Sequence, residues 1–235
     1  MKEHFDNKFF DDIDERISDN YFSPIMDYAI GQIQVNNVCD VGCGNGFFTG
    51  NIKKSFNCKS LIGIDSNKYA LNQASELDFD ELFQIGDFNS DRLPIDSNSM
   101  DLVICKDVLE HLINPIFLVN EINRILKPGG YLLLSVPNHF PLWGRIKFLL
   151  NNNIDTFHYF PDSDRYEFPH IRFYTLSSIK KLLSVSNFII EENLSFFFIN
   201  PPIIHKVMPV WLKKLVAKIS TDNFSLGVVV LAKKV

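Results

Sequence analysis

The sequence lacks an apolar run approaching the roughly 18 residues that a membrane-spanning helix needs, so no such helix is expected. Residues 1–20 are densely charged, which argues against a secretory leader. There are only four cysteines, Cys39, Cys43, Cys58 and Cys105, and none stands in a C-x-x-C pair. They fall mostly in apolar stretches or in a glycine-rich turn and read as reduced, buried thiols of a cytoplasmic protein. Basic charge is in deficit, with 23 Lys and Arg against 28 Asp and Glu and a formal charge of -5. The chain therefore has no general attraction to phosphate backbones, and nucleic acid is not an expected partner. Internal repeats and low-complexity linkers are also missing. A length of 235 residues suits one α/β domain and is short for two independent ones. What the chain has in quantity is phenylalanine, 22 residues of it, together with many Asn, Ile and Lys.

The most informative stretch is Val38-Cys39-Asp40-Val41-Gly42-Cys43-Gly44-Asn45-Gly46, an apolar run that passes through an acid into three alternating glycines. Val35, Val38 and Val41 read as a buried strand, and Phe47, Phe48, Ile52 and Phe56 carry the period of a packed helix. Glycines at such a turn let backbone approach a ligand, and a helix start behind them offers unpaired N–H groups. The spacing is G-x-G-x-G, with Phe47 where a dinucleotide fingerprint would place its third glycine. Asp40, two residues before the first glycine, suits a cationic ligand better than a phosphate. The stretch resembles motif I of the class I S-adenosylmethionine (SAM) dependent methyltransferases, here written D-V-G-C-G-N-G. The resemblance implies that Asp40, Gly42, Cys43 and Gly44 contact SAM.

Before the turn, residues 1–21 carry Phe5, Phe9, Phe10, Ile13 and Ile17 at amphipathic spacing, and a second helix follows Pro24; residues 1–34 read as a helical cap. Beyond the turn, residues 60–65 form a second buried strand closed by Asp65, and Ser66 reads as the N-cap of a helix extending to Leu77. An acid about 20 residues beyond the glycines is placed to accept hydrogen bonds from both ribose hydroxyls, so Asp65 is the expected ribose ligand and Ser66 its neighbour. Residues 82–85 are a third strand running into Gly86-Asp87-Phe88, where Asp87 and Phe88 are expected to read the adenine.

Residues 100–105 form a fourth strand followed by Lys106-Asp107-Val108-Leu109-Glu110-His111, with Lys106 also expected at the cofactor. Asn114-Pro115 starts a helix with the stripe Ile116, Val119, Ile122, Ile125 and Leu126, and Lys127-Pro128-Gly129-Gly130 ends it. Residues 131–136 are a fifth strand. The blocks D-L-V-I-C-K-D-V-L-E-H-L and E-I-N-R-I-L-K-P-G-G-Y-L-L-L-S-V-P-N resemble the same family in order and spacing. A looser segment, 139–172, with an aromatic and acidic run at 155–168, reads as a substrate-binding insert. Thr175 caps a further helix, residues 188–198 read as a sixth strand, 203–219 as a helix with scattered lysines, and 226–232 as a final strand antiparallel to the sixth. The family resemblance implies one Rossmann-like α/β/α domain spanning residues 1–235, with a seven-stranded, mostly parallel sheet and a reversed last strand.

Methyl transfer from a sulfonium asks a protein mainly to align and desolvate the reactants, and a hydroxyl acceptor also needs a base. The candidates are His111, His170, His158 and His139, with His111 first and His170 second, the latter with Arg172 as an anion-binding neighbour. Asp107-x-x-Glu110-His111 resembles the E-x-x-E-H arrangement that small-RNA 2′-O-methyltransferases and ubiquinone-biosynthesis O-methyltransferases use for a divalent metal, and the resemblance implies that two carboxylates and an imidazole could share a hard cation; Asp107 stands in place of the longer Glu, and no metal is expected. The expected reaction is methylation of a small-molecule acceptor, a hydroxyl of a sugar or cell-envelope precursor. An alternative acceptor is a quinone or lipid, with peripheral membrane contact through residues 196–211. Two readings of another class are a non-catalytic SAM-binding protein and a nicotinamide oxidoreductase.

Overall fold

The computed structural model describes residues 22–50, 52–53, 57–151, 170–195, 209, 212, 215–216, 219–225 and 227–235. The expectations for residues 1–21, for 155–168 and for most of 203–219 lie outside these residues. The strands are β1 (Asn37–Val41), β2 (Ser60–Asp65), β3 (Glu81–Gln84), β4 (Met100–Lys106), β5 (Leu126–Pro137), β6 (Phe188–Asn193) and β7 (Gly227–Lys234). They form one seven-stranded sheet in the order β3-β2-β1-β4-β5-β7-β6. β1, β2, β3, β4 and β5 pair in parallel, whereas β7 runs antiparallel to both β5 and β6.

The strands are apolar on both faces because helices cover both faces. Along β4, Leu102 and Ile104 pack into one cluster and Val103 and Cys105 into the other; Val228 to Ala232 of β7 alternate in the same way. One cluster takes Met26, Ala29 and Ile30 of helix α1 (Phe22–Gly31). The other takes Leu118, Val119, Ile122 and Ile125 of helix α3 (Pro115–Ile125) and Ile179 and Leu183 of helix α5 (Leu176–Val185). Each fully buried side chain of this kind contributes about 1.5–3 kcal/mol of transfer free energy. Helix α2 (Lys68–Ala74) lies between β2 and β3, α4 (Leu142–Asn151) follows β5, and the short α6 (Thr221–Phe224) precedes β7.

Local chemistry sets most boundaries. Pro115 opens α3 at its first turn, as expected. Thr175 caps α5 in a reciprocal capping box with Ser178. Three expectations are corrected. The cap of α2 is Asn67, whose side chain accepts from the N–H groups of Tyr69 and Ala70, and not Ser66. The segment behind the glycines runs as turns over residues 46–50, with helix only at Ile52 and Lys53 among the described residues. Finally, Lys127-Pro128-Gly129-Gly130 does not form a break: α3 stops at Ile125 and β5 begins at once, with Gly129 at φ +76° and a register irregularity opposite Met100 and Leu102. The far end of β7 is fastened by Lys234, whose Nζ donates to Asn98 Oδ1 at 2.9 Å and to the carbonyls of Asn123 and Leu126 at 2.7 Å each.

Candidate active site

The parallel strands β1 to β5 bring their carboxyl ends to one edge of the sheet, and the turns that leave those ends carry Asp40 to Gly44, Asp65 and Ser66, Asp87 and Phe88, Lys106 to His111, and His139. The β1 end carries the turn. Gly42, Gly44 and Gly46 hold φ values of +82°, +55° and +77°, a region that disfavours a Cβ. Gly42 is also crowded: a Cβ on it would stand 2.2 Å from Val108 Cγ2. Gly42 and Cys43 both donate their N–H groups to the Ile64 carbonyl, at 2.7 and 3.1 Å, which binds the turn to β2.

Asp65, at the end of β2, is 6% exposed. Its Oδ2 accepts from the Gly44 N–H and its Oδ1 from the Asn67 N–H, both at 2.8 Å. Burial raises its pKa against the pull of these N–H donors and that of Ser66. A carboxylate has about four lone-pair sites, so room remains for further donors. Asp40 is 4% exposed and accepts from Thr49 Oγ1 at 2.5 Å. Burial pushes its carboxyl up to about 7, helped by Asp65 and opposed by the Thr49 hydroxyl and Lys106. Cys43 is buried, and burial first, then the charges of Asp40 and Asp65, holds its thiol well above the ordinary range.

Lys106, at the end of β4, lies over the Phe48 ring at 4.2 Å and pairs with Asp107. Asp87 is engaged in turn chemistry: its Oδ1 accepts from the Asn89 N–H at 2.9 Å and from Asn89 Nδ2 at 2.7 Å. Phe88 is 7% exposed and packs in the core cluster, so its ring is committed to the interior and only its backbone is at hand for a base. A separate cavity of about 450 Å³, lined by Arg92, Leu93, Pro94, Ile95, Asp96 and Ser97, lies before β4 and holds none of these residues.

The histidines converge. His111 closes a 3₁₀ turn (Leu109–His111) that leaves β4. His170 is brought to it by a staple of backbone bonds: the N–H groups of Ile171 and Arg172 donate to the Glu110 carbonyl at 2.9 and 3.1 Å. Arg172 reinforces the staple by donating Nε to the Leu112 carbonyl at 2.8 Å and Nη2 to that of Ile113, so its guanidinium serves as a clamp and not as an anion site. The Tyr174 hydroxyl adds a bond to the Leu109 carbonyl at 3.2 Å. His139 arrives from β5, whose end is held by Asn138 donating to the carbonyls of Asp222 and Ser225. His139 Nε2 is hydrogen-bonded to His170 Nδ1, and the His170 ring centroid lies 4.7 Å from those of both His111 and His139. His158 lies outside the described residues.

From sequence, Glu110 entered only as a possible ligand of a hard cation with Asp107 and His111, and not among the cofactor-binding or catalytic residues. It is 0% exposed, and neither side-chain oxygen accepts a hydrogen bond among the described residues. Burial, and then the charge of Asp107, raises its pKa well above the carboxylate range. Its Oε1 stands 3.9 Å from His111 Nε2. Asp107 itself faces elsewhere, to Lys106 and to the Ser135 hydroxyl, which donates to Asp107 Oδ1 at 3.2 Å.

A positive-φ glycine turn tied to a buried acid on the neighbouring strand, at the carboxyl edge of a parallel sheet, defines an α/β protein built to seat a nucleoside-bearing ligand. Residues 39–134 match the methyltransferase domain family. An uncharacterized protein of Methanocaldococcus jannaschii is 35% identical over 175 residues, which cover 74% of this chain and 67% of that protein. The malonyl-[acyl-carrier protein] O-methyltransferase of a Marinomonas species is 34% identical over 104 residues, 43% of this chain and 38% of that enzyme. The ubiquinone biosynthesis O-methyltransferase of Acinetobacter baylyi is 25% identical over 122 residues, 49% and 50% of the two chains. The chain thus spans half or less of the length of these two O-methyltransferases. A SAM-dependent methyltransferase from Archaeoglobus fulgidus has the same fold, with a TM-score of 0.64 at 17% identity over 97% of this chain and all of that one. The chain belongs to the SAM-dependent methyltransferases, and SAM is its cofactor.

Proposed function

We propose that this chain transfers a methyl group from SAM to a hydroxyl of a small molecule, a sugar or cell-envelope precursor being the first candidate. The observation that carries the reading is the cluster of His111, His170 and His139, two of which follow the carboxyl ends of β4 and β5, since a hydroxyl acceptor needs a group that removes its proton and a carboxylate acceptor does not. When bound, SAM supplies a methyl carbon already activated by its sulfonium. In this reading Asp40 pairs with the amino group of the cofactor, Asp65 accepts from the ribose hydroxyls, and Lys106, Ser66 and the backbone around Asp87 and Phe88 complete the rim. The turn of Gly42, Cys43 and Gly44 offers close backbone approach. His111 takes the proton from the acceptor oxygen, and that oxygen forms the new bond to carbon as the carbon–sulfur bond breaks with its electron pair going to sulfur.

A quinone or lipid hydroxyl is the second reading, favoured by Phe140 and Phe173, which are 38% and 42% exposed beside the histidines and meet edge-to-face with ring centroids 5.6 Å apart. The free thiols and the absence of a membrane-spanning helix among the described residues support a cytoplasmic location. Residues 139–172 serve as the acceptor-binding insert in either case. The reading is tested by calorimetric titration with SAM and with NAD. A panel of sugars, phenols, quinols and carboxylic acids is then incubated with the chain and labelled SAM, with products detected by mass spectrometry. SAM binding with label on a hydroxyl is expected. Binding of NAD in place of SAM, or label only on carboxylic acids, overturns it, and SAM binding with no transfer to any acceptor favours the non-catalytic alternative.

A further inference from the structure

We propose that Thr49 is a positioning residue for the cofactor: its hydroxyl holds the Asp40 carboxylate in the orientation and charge that the amino group of SAM needs. This rests on the pairing of Asp40 with that amino group and gives Thr49 a part in it.

Asp40 lies near the end of β1 and is 4% exposed, and a buried carboxylate needs donors to replace the water it has lost. Among the described residues, Thr49 is the hydrogen-bond donor that reaches its side chain, Oγ1 donating to Oδ2 at 2.5 Å. Thr49 is itself 1% exposed, so the bond is shielded from water. A hydroxyl donating to a carboxylate in such surroundings makes one of the stronger hydrogen bonds in a protein. Oδ2 is thereby committed, which leaves Oδ1 to an ammonium. The hydroxyl is held from both sides by backbone: the Thr49 N–H donates to the Gly46 carbonyl at 3.2 Å, and the Thr49 carbonyl accepts from the Ile52 N–H at 2.9 Å. Residues 40 and 49 flank the three positive-φ glycines, so their bond closes the chain around the turn that approaches the cofactor.

Charge follows from the same contact. Burial pushes the Asp40 carboxyl up to about 7; of the groups that oppose burial the Thr49 hydroxyl comes first and Lys106 of β4 second, while the like charge of Asp65 on β2 acts with burial. The other titratable neighbours are thiols, Cys39 of β1, Cys43 of the turn and Cys105 of β4, and burial keeps all three protonated and uncharged. Asp40 therefore stands at the edge of ionisation near neutral pH, where one donor decides its charge. A donating hydroxyl favours the carboxylate over the acid, and an ammonium needs the carboxylate. Without the hydroxyl the carboxyl titrates at higher pH, so the variant keeps a proton where the wild type has lost it. Well above both values the two proteins carry the same charge.

The test is calorimetric titration of the full chain with SAM at about pH 6 and about pH 8.5, in wild type, Thr49→Val, Thr49→Ser and Asp40→Asn, with folding checked by circular dichroism. Thr49→Val should bind SAM about tenfold or more weakly at the lower pH, and the deficit should shrink to about threefold or less at the higher one. The ratio of the two Kd values at each pH cancels the titration of the cofactor's own amino group, which is common to both proteins. Thr49→Ser keeps the hydroxyl and should stay within about twofold of wild type. In the Asp40→Asn background Thr49→Val should cost less than about twofold, because a residue that acts through Asp40 has nothing left to act on. No deficit, a deficit equal at both pH values, the full cost in the Asp40→Asn background, or a Thr49→Ser variant as weak as Thr49→Val overturns the proposal. If Thr49→Val does not fold, Thr49→Ala carries the same comparisons. Wild-type affinity of Asp40→Asn at the higher pH would instead sink the pairing of Asp40 with the amino group, whatever Thr49 does.

Discussion

Asp40 links the stability of the empty site to its readiness for a cationic ligand, and the link can be measured. Burial lifts its carboxyl from 3.8 to about 7 in the folded chain, and unfolding returns it to the ordinary value. Between these values the folded chain holds a proton that the unfolded chain has lost. Stability from this group is therefore full below about pH 4, falls by up to about 1.4 kcal/mol per pH unit as pH rises, and levels off above about pH 7. The whole window amounts to on the order of 4 kcal/mol. Asp40→Asn has no proton to lose, and its amide oxygen can still accept from Thr49. Urea midpoints for both proteins at about pH 4.5 and pH 7.5, converted with their m-values, isolate Asp40 because Asp65 and Glu110 are common to both. The variant should gain on the wild type as pH rises, by most of that amount, while its SAM affinity at pH 7.5 falls. A stability difference that is the same at both pH values refutes the reasoning.

Asp65→Ala should weaken SAM binding by about 1.5–3 kcal/mol, roughly 10- to 150-fold by calorimetry, with a lowered Tm because the N–H groups of Gly44 and Asn67 lose their acceptor. Unchanged SAM affinity would remove Asp65 from the ribose. Gly42→Ala combines a left-handed backbone with a methyl 2.2 Å from Val108, and should cost about 2–4 kcal/mol in denaturant titration. Gly44→Val should abolish SAM binding while the circular dichroism of the sheet is retained. His111→Ala should lower kcat by about 10²- to 10⁴-fold with SAM affinity nearly intact. Intact turnover with a lowered Tm would make His111 structural.

The sheet was legible in the sequence because its central strands are apolar on both faces and end in turn residues, as residues 38–41, 60–65 and 100–105 do. The glycine turn was legible for the same local reason. Three features were not. Lys127-Pro128-Gly129-Gly130 has the composition of a break, yet β4 pairs with Leu126 before it and with Tyr131 after it, so the sheet brackets the segment as an irregularity within one strand, a tertiary effect that no local propensity contains. Asp65 was recognised as an acid at a strand end, but its bond to the Gly44 N–H joins residues 21 apart. The meeting of His111, His139 and His170 depends on carbonyl clamps from Arg172 and on Asn138, and the only trace of these in the sequence is a pair of ordinary polar residues beside a histidine.

The place of β7 in the sheet bears on how the protein is made. β5 is complete by Pro137, but the strand that pairs with it begins only at Gly227 and enters between β5 and β6. During synthesis, therefore, β5 presents an open, apolar edge for about ninety residues' worth of translation, and β6 has no neighbour to pair with until its hairpin partner emerges. At about 5–20 residues per second that exposure lasts several seconds or more, long enough for chaperone capture or for pairing with another nascent chain. A stall in translation within residues 195–226 would therefore trap a half-closed sheet, and solubility during expression should depend more on this interval than on the affinity of the finished site for its cofactor.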